Sequence, residues 1–140
     1  MSQKGTILAV VLVILAALVV VVGVGYAALP EPRGDIELSA TEFDFGTVAN
    51  NAPVDHVFQV HNAGDGPLQI SGVSTSCGCT SATVGRDRLA PGESTELRVS
   101  YDPLTHDGAT GQFMRVVYVR SDDPDTPEAT LTIHVTVVEL

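Results

Sequence analysis

Ala129-Thr130-Leu131-Thr132-Ile133-His134-Val135-Thr136-Val137 alternates apolar and polar side chains with a period of two. That period marks a β-strand with one face on a core and the other toward water. The alternation recurs in Ser94-Thr95-Glu96-Leu97-Arg98-Val99-Ser100-Tyr101, and Gly, Pro, Asn and Asp punctuate the chain between such runs. The candidate strands are Asp35 to Ala40, Glu42 to Val48, Val54 to Asn62, Pro67 to Val73, Cys79 to Val84, Ser94 to Tyr101, Gln112 to Ser121 and Ala129 to Val138. Seven or eight strands with no helical stretch of useful length among them predict an all-β, immunoglobulin-like β-sandwich. Its core-facing residues are Phe43/Phe45, Phe58/Val60, Leu68/Ile70, Leu97/Val99/Tyr101, Phe113/Val117/Val119 and Leu131/Ile133/Val135/Val137.

The breaks have their own chemistry. Asn62-Ala63-Gly64-Asp65-Gly66-Pro67 offers residues that tolerate positive φ and a ring that fixes φ, and Ala90-Pro91-Gly92-Glu93 does the same before the next strand. A domain of roughly 105 residues buries about 60 to 65% of its unfolded surface, enough to fold without a metal or a disulfide staple.

Upstream of the sandwich, no charged side chain occurs from Gly5 to Pro30, and Ile7 to Val22 is almost wholly Ile, Leu, Val and Ala. A helix of that length crosses a hydrocarbon core of about 30 Å, and no polar stripe of a soluble helix runs through it. The expected organisation is a short cytoplasmic N-terminus (1–5), a transmembrane helix (6–29), a linker (30–34) and an exported domain (35–140). Lys4 before the span and acidic residues after it place the N-terminus in the cytoplasm and the domain outside. The inner or cytoplasmic membrane is thus one expected partner. Gly25-Tyr26-Ala27 offers small residues to a signal peptidase, yet the apolar run is longer than the usual signal core of about 7 to 15 residues, which favours a retained anchor. Pro30-Glu31-Pro32-Arg33-Gly34 would then tether the domain within about 17 Å of the bilayer.

The whole chain has 140 residues and a formal charge of −10, from 7 Lys+Arg against 17 Asp+Glu. Such a surface cannot neutralise phosphates, so nucleic acid is not an expected partner. Carboxylate pairs for glycoside chemistry, a Gly-x-Ser-x-Gly elbow, a phosphate loop and the HExxH motif are not found, and no enzyme is expected beyond what two thiols can do.

From Ile36 to Val138 the residues resemble the bacterial domain of unknown function 1573 family, itself similar to PapD-like and Hydin-like immunoglobulin domains. The resemblance is carried by Phe43-Asp44-Phe45-Gly46 with Val48, Phe58, Asn62-Ala63-Gly64 running into Pro67-Leu68-Gln69-Ile70, Cys77-Gly78-Cys79-Thr80, Pro91-Gly92-Glu93 and Ser121-Asp122-Asp123-Pro124. Asp122 stands where the family usually carries Asn, a change from one turn former to another. The resemblance implies an exported sandwich and no particular activity.

Cys77-Gly78-Cys79 is the sharpest chemical feature. In extended backbone the two Cα atoms stand nearly 7 Å apart, at the limit for a disulfide, and Gly78 permits a turn that would close a strained, easily reduced bond. Two thiolates also suit copper(I), or zinc with two further ligands, so Cys77 and Cys79 are the candidate metal residues as well as a candidate redox pair. His56, His61, His106, His134 and Met114 could complete such a site, and no sequence spacing ties any of them to the cysteines. The plainest alternative is a pair of packed small hydrophobes or a simple bridge. Arg86 and Arg88 are the cations nearest in sequence that could favour a thiolate. His56 and His61 have opposite strand parity, His134 has solvent-facing parity, and His106 reads as part of a turn in Asp102 to Gly108. Ser121 to Pro127 collects three carboxylates that read as a solvated loop, with weak calcium binding as the sharper alternative.

The leading expectation is a membrane-anchored, non-catalytic immunoglobulin-like module that binds an exported protein or envelope component. The alternative is a thiol-redox or copper-handling module using Cys77 and Cys79. A strand-donating chaperone ranks third, because one acidic domain stands where such chaperones pair two.

Overall fold

The computed structural model describes residues 3–26 and 30–140, in two compact units, 1–31 and 32–140. The first unit contains helix α1 (Gln3–Tyr26), whose side chains over 7–20 are apolar on every face. By length and composition it is able to cross a membrane, a property that signal sequences share. The expected end of the span at 27–29 and Ala27 of the candidate cleavage site lie outside the described residues.

The second unit is a two-layer β-sandwich of nine strands: β1 (Ile36–Leu38), β2 (Glu42–Ala49), β3 (Val54–Asn62), β4 (Leu68–Thr75), β5 (Thr80–Val84), β6 (Arg88–Leu89), β7 (Ser94–Tyr101), β8 (Gly111–Ser121) and β9 (Glu128–Val138). One sheet has the order β1-β3-β7-β5, the other β2-β9-β8-β4-β6. All pairings are antiparallel except that of β2 with β9, which is parallel and carries a bulge between Asp44 and Thr47. Gly46 sits in that bulge at φ 72°, and its N–H donates to Asp44 Oδ1 at 2.7 Å. The two-residue strand β6 exceeds the expected count of seven or eight strands, being too short to show a period.

The period-two reading of the core holds along β3, β4, β7, β8 and β9: Val60, Leu68, Leu97, Val99, Val117, Val119, Leu131 and Ile133 are fully enclosed. Phe43, Phe45 and Phe113 are only half-buried. For the first two the reason is topological, since β2 ends its sheet and is covered from one side only. Phe43 compensates by stacking on His56 at 4.0 Å and meeting Phe58 edge-on at 5.2 Å.

Asn62 is fully buried and uses all its side-chain hydrogen-bonding capacity. Its Oδ1 accepts from the Asp35 and Gly64 amides, and its Nδ2 donates to the Gly66 and Leu89 carbonyls. It thereby joins β1, the β3–β4 loop and β6. Gly64 and Gly66 do not serve through positive φ, as the turn chemistry suggested. They allow the segment 32–35 to cross the loop, since a Cβ on either would overlap the backbone of Pro32 to Asp35. The Pro91-Gly92 turn follows expectation, with Gly92 at φ 78° and the Glu93 amide donating to Ala90 O.

Candidate functional site: the Cys77–Cys79 pair

The site lies where the β4–β5 turn meets the crossover from β7 to β8. Ser76 fastens the turn to β8, its amide donating to Val116 O and its hydroxyl accepting from the Val116 amide. Thr75 Oγ1 donates toward the Cys77 and Thr80 carbonyls, and the Thr80 amide reaches Cys77 O at 3.2 Å, closing a four-residue turn. That turn brings the cysteine Cα atoms to 5.3 Å and joins Cys77 and Cys79 in a disulfide. The turn expected at Gly78 is formed, with a φ outside the left-handed region and open space where a Cβ would stand.

Two charged or titratable side chains flank the sulfurs from other elements. After β7, the Asp102 amide donates to Cys79 O at 2.8 Å, and the Asp102 carboxylate caps the short 3-10 helix Pro103–His106. The helix ends at Asp107 in the left-handed conformation, and Asn50 Nδ2 holds the Gly108 carbonyl at 3.0 Å. This geometry sets His106 Nε2 3.2 Å from Cys77 Sγ. From β8, Arg115 Nε donates to Cys79 Sγ at 3.0 Å, while its guanidinium lies over the Phe113 ring at 5.2 Å. The Cys79 amide also donates to Cys77 Sγ at 3.1 Å. Cys77 is half-buried, Cys79 buried at 2% exposure and His106 exposed. Beneath them lies Tyr101; burial pushes its hydroxyl above the ordinary value, Arg115 opposing and Asp102 adding to that push.

The structure therefore joins His106 to the two cysteines and leaves the other sequence candidates elsewhere. His56 stacks on Phe43, and His61 Nδ1 bonds Ser94 Oγ at 2.9 Å. His134 lies 3.9 Å from Glu42, and the exposed Met114 is its register partner across β8 and β9. The cation beside the sulfurs is Arg115; Arg86 instead bonds Ser94 O and Glu93, and Arg88 is exposed in β6. Arg115 was legible in principle. It shares the core-facing parity of Phe113, Val117 and Val119, and a charge at such a position signals a buried polar partner.

In the acidic loop, Asp123 is buried, its carboxylate accepting from the Ile36, Asp125 and Thr126 amides. Asp122 Oδ1 accepts from the Gln69 amide. Two of the three carboxylates thus organise loops, and Asp123 is enclosed where the sequence reading expected a solvated connection.

Fold and site define a PapD-like, immunoglobulin-like β-sandwich with a cysteine pair at one end. Residues 36–137 match the family described as protein of unknown function (DUF1573), and the chain belongs to that family. A protein of unknown function from Porphyromonas gingivalis W83 is similar at 25% identity and TM-score 0.68, over 79% of this chain and 50% of that one. The ASH/PapD-like domain 7 of human CEP192 is similar at 10% identity and TM-score 0.63, over 81% of this chain and 92% of that domain. The E. coli chaperone DraB is similar at 15% identity and TM-score 0.52, over 74% of this chain and 56% of that one. The chain thus spans about half the length of the Porphyromonas and DraB chains. No curated protein matches the sequence.

Proposed function

We propose that this chain is a membrane-anchored, extracytoplasmic immunoglobulin-like module that exchanges its Cys77–Cys79 disulfide with dithiols of exported proteins. The observation that carries this is the asymmetry of the pair. Cys77 is the more accessible sulfur and faces His106, whereas Cys79 is enclosed and faces the Arg115 guanidinium.

An incoming thiolate attacks Cys77 Sγ and forms a mixed disulfide. The Cys77–Cys79 bond breaks, and Cys79 leaves as a thiolate whose charge meets Arg115. The partner's second thiolate then attacks the partner sulfur in the mixed disulfide, releasing Cys77 as a thiolate that takes a proton from solvent beside His106. The partner dithiol has lost two electrons to become a disulfide, and Cys77–Cys79 has gained them. Run backwards, the same steps reduce a partner disulfide.

The anchor and its orientation are supported by the apolar character of α1, by Lys4 before it and by the acidic balance beyond it. A phosphatase fused after Leu140, active only outside the cytoplasm, tests the orientation; an inactive fusion overturns it.

For the chemistry, single-cysteine variants of the full chain in detergent are mixed with a disulfide-bonded peptide, so that the remaining cysteine thiolate breaks the peptide S–S bond, joins one of its sulfurs and releases the other as a thiolate. Cys79→Ser should accumulate a mixed disulfide at Cys77, and Cys77→Ser should accumulate far less because Cys79 is enclosed. Equal trapping by both variants, or by neither, overturns the proposal.

Non-catalytic binding of an exported protein or envelope component is the second reading, favoured by one observation. Strand β5 ends its sheet and begins immediately after Cys79, so its free edge lies beside the site. Capture of the same envelope protein by wild type and by the Cys77→Ala/Cys79→Ala variant would favour this reading over thiol exchange.

A further inference from the structure

We propose that, once its disulfide is reduced, the Cys77/Cys79/His106 cluster binds one copper(I) ion in a three-coordinate site. The inference rests on the reducibility of the pair in the reading above and does not require exchange with a protein partner.

The ligand atoms of Cys77, Cys79 and His106 lie within 4.8 Å of one another. An ion about 2.3 Å from each of three ligand atoms spaces them about 4 Å apart in a trigonal plane, so the two sulfurs, bonded in the disulfide, must separate to that spacing once reduced, while His106 already stands beside Cys77 Sγ. The donor set selects the metal. Two thiolates and an imidazole are soft to borderline ligands suited to copper(I), which accepts three of them, whereas structural zinc favours four protein ligands.

Charge points the same way. Two thiolates and one copper(I) sum to −1, and the Arg115 guanidinium, with Nε 3.0 Å from Cys79 Sγ, offsets that charge in a position enclosed from water. The Cys79 amide donating to Cys77 Sγ at 3.1 Å adds a second orienting contact around the ligands. His106 is carried on a helix fixed at both ends, by the Asp102 cap and by the Asn50 contact to Gly108. A ligand so held loses little freedom on binding.

The site is gated by oxidation state. In the disulfide neither sulfur carries the anionic lone pair that copper requires. A dithiol delivers two electrons and two protons to the S–S bond and becomes a disulfide, or a phosphine delivers two electrons and takes oxygen from water, whose two protons complete the thiols, to become a phosphine oxide. Copper(I) then displaces the thiol protons. Reoxidation by a partner disulfide, which takes the two electrons and leaves as a dithiol, would discharge the ion.

The test uses the full chain in detergent, reduced anaerobically with a phosphine that is then removed. A chromogenic thiol reagent counts free thiols, and copper(I) is titrated in competition with bicinchoninate. One copper per chain is expected for the reduced protein and none for the oxidised protein. Arg115→Gln should weaken binding about 10- to 100-fold, as loss of a supporting partner does, and His106→Ala at least as much. His61→Ala should leave it unchanged. X-ray absorption at the copper edge should show two sulfur neighbours and one nitrogen.

Two free thiols with no competition for copper overturn this proposal and leave the exchange reading standing. A bond that resists reduction in the folded protein overturns both. Undiminished affinity in His106→Ala, or displacement of copper(I) by equimolar zinc, overturns the three-ligand copper site.

Discussion

Arg115 occupies a register position that would otherwise face the core, and its guanidinium is turned to Cys79 Sγ and the Phe113 ring. A hydrogen bond to a charged group is worth about 1.5 to 3 kcal/mol, so Arg115→Gln should slow release of the Cys79 thiolate by about 10- to 100-fold. Stopped-flow reaction of the oxidised chain with a small dithiol measures this, and an unchanged rate would remove Arg115 from the chemistry. Asn62 plays the structural counterpart. Replacing it by Ala strands buried amide and carbonyl groups and should cost about 3 kcal/mol in denaturant unfolding. At Asp123 burial pushes the carboxyl up, but the Ile36, Asp125 and Thr126 amides and Arg33 outweigh it and hold the pKa below the ordinary 3.8. A depressed carboxylate contributes stability that is fully present above the unfolded value and is lost as pH falls through the folded one. Wild type should therefore lose stability below about pH 4 more steeply than Asp123→Asn, which is weaker at neutral pH and flatter in acid. Parallel pH profiles of the two proteins would contradict this. The sequence marked Cys77 and Cys79 because both thiols lie in one short motif. It put His106 among five residues able to complete the site but could not single it out, because a crossover brings it in from 29 residues away in sequence.

At the scale of elements, long alternating strands were legible because each carries several periods of evidence, as β7 and β9 do. Strand β6 and the helix Pro103–His106 were not, since two and four residues contain less than two repeats of any pattern. Their existence depends on tertiary partners, the Asn62 contact to Leu89 O for β6 and the Asn50 contact to Gly108 O beyond the helix. The turns separate glycines by what they do. Gly92 holds φ 78°, so Gly92→Ala should destabilise by about 1 kcal/mol or more. Gly78 has an ordinary φ and open space around it, and Gly78→Ala should change stability by less than about 0.5 kcal/mol and leave the disulfide formed. Urea unfolding of the two variants side by side gives the contrast, and a large loss in Gly78→Ala would mean that the turn needs glycine after all.

For the whole molecule, the question is whether the disulfide holds the sandwich together or is held by it. Cys77 and Cys79 are two residues apart, so their bond closes a minimal loop. In the chain-entropy account stabilisation grows with the logarithm of loop length, and a loop of about three residues gives roughly 1.5 kcal/mol. Both sheets, by contrast, join strands distant in sequence, with β2 pairing β9 in one and β3 pairing β7 in the other around side chains that are fully enclosed. Those contacts form whether or not the sulfurs are joined. Reduction, or the Cys77→Ala/Cys79→Ala variant, should therefore leave one cooperative thermal transition and lower its midpoint by less than about 10 °C for a domain of this size. Circular dichroism of the full chain in detergent, scanned with and without reductant, measures it. Loss of the transition on reduction would make the pair a structural staple and take away the free cycling that both thiol exchange and copper(I) capture require. A small shift means that the scaffold keeps Cys77, Cys79, His106 and Arg115 together in either oxidation state, which is the condition for the site to work repeatedly.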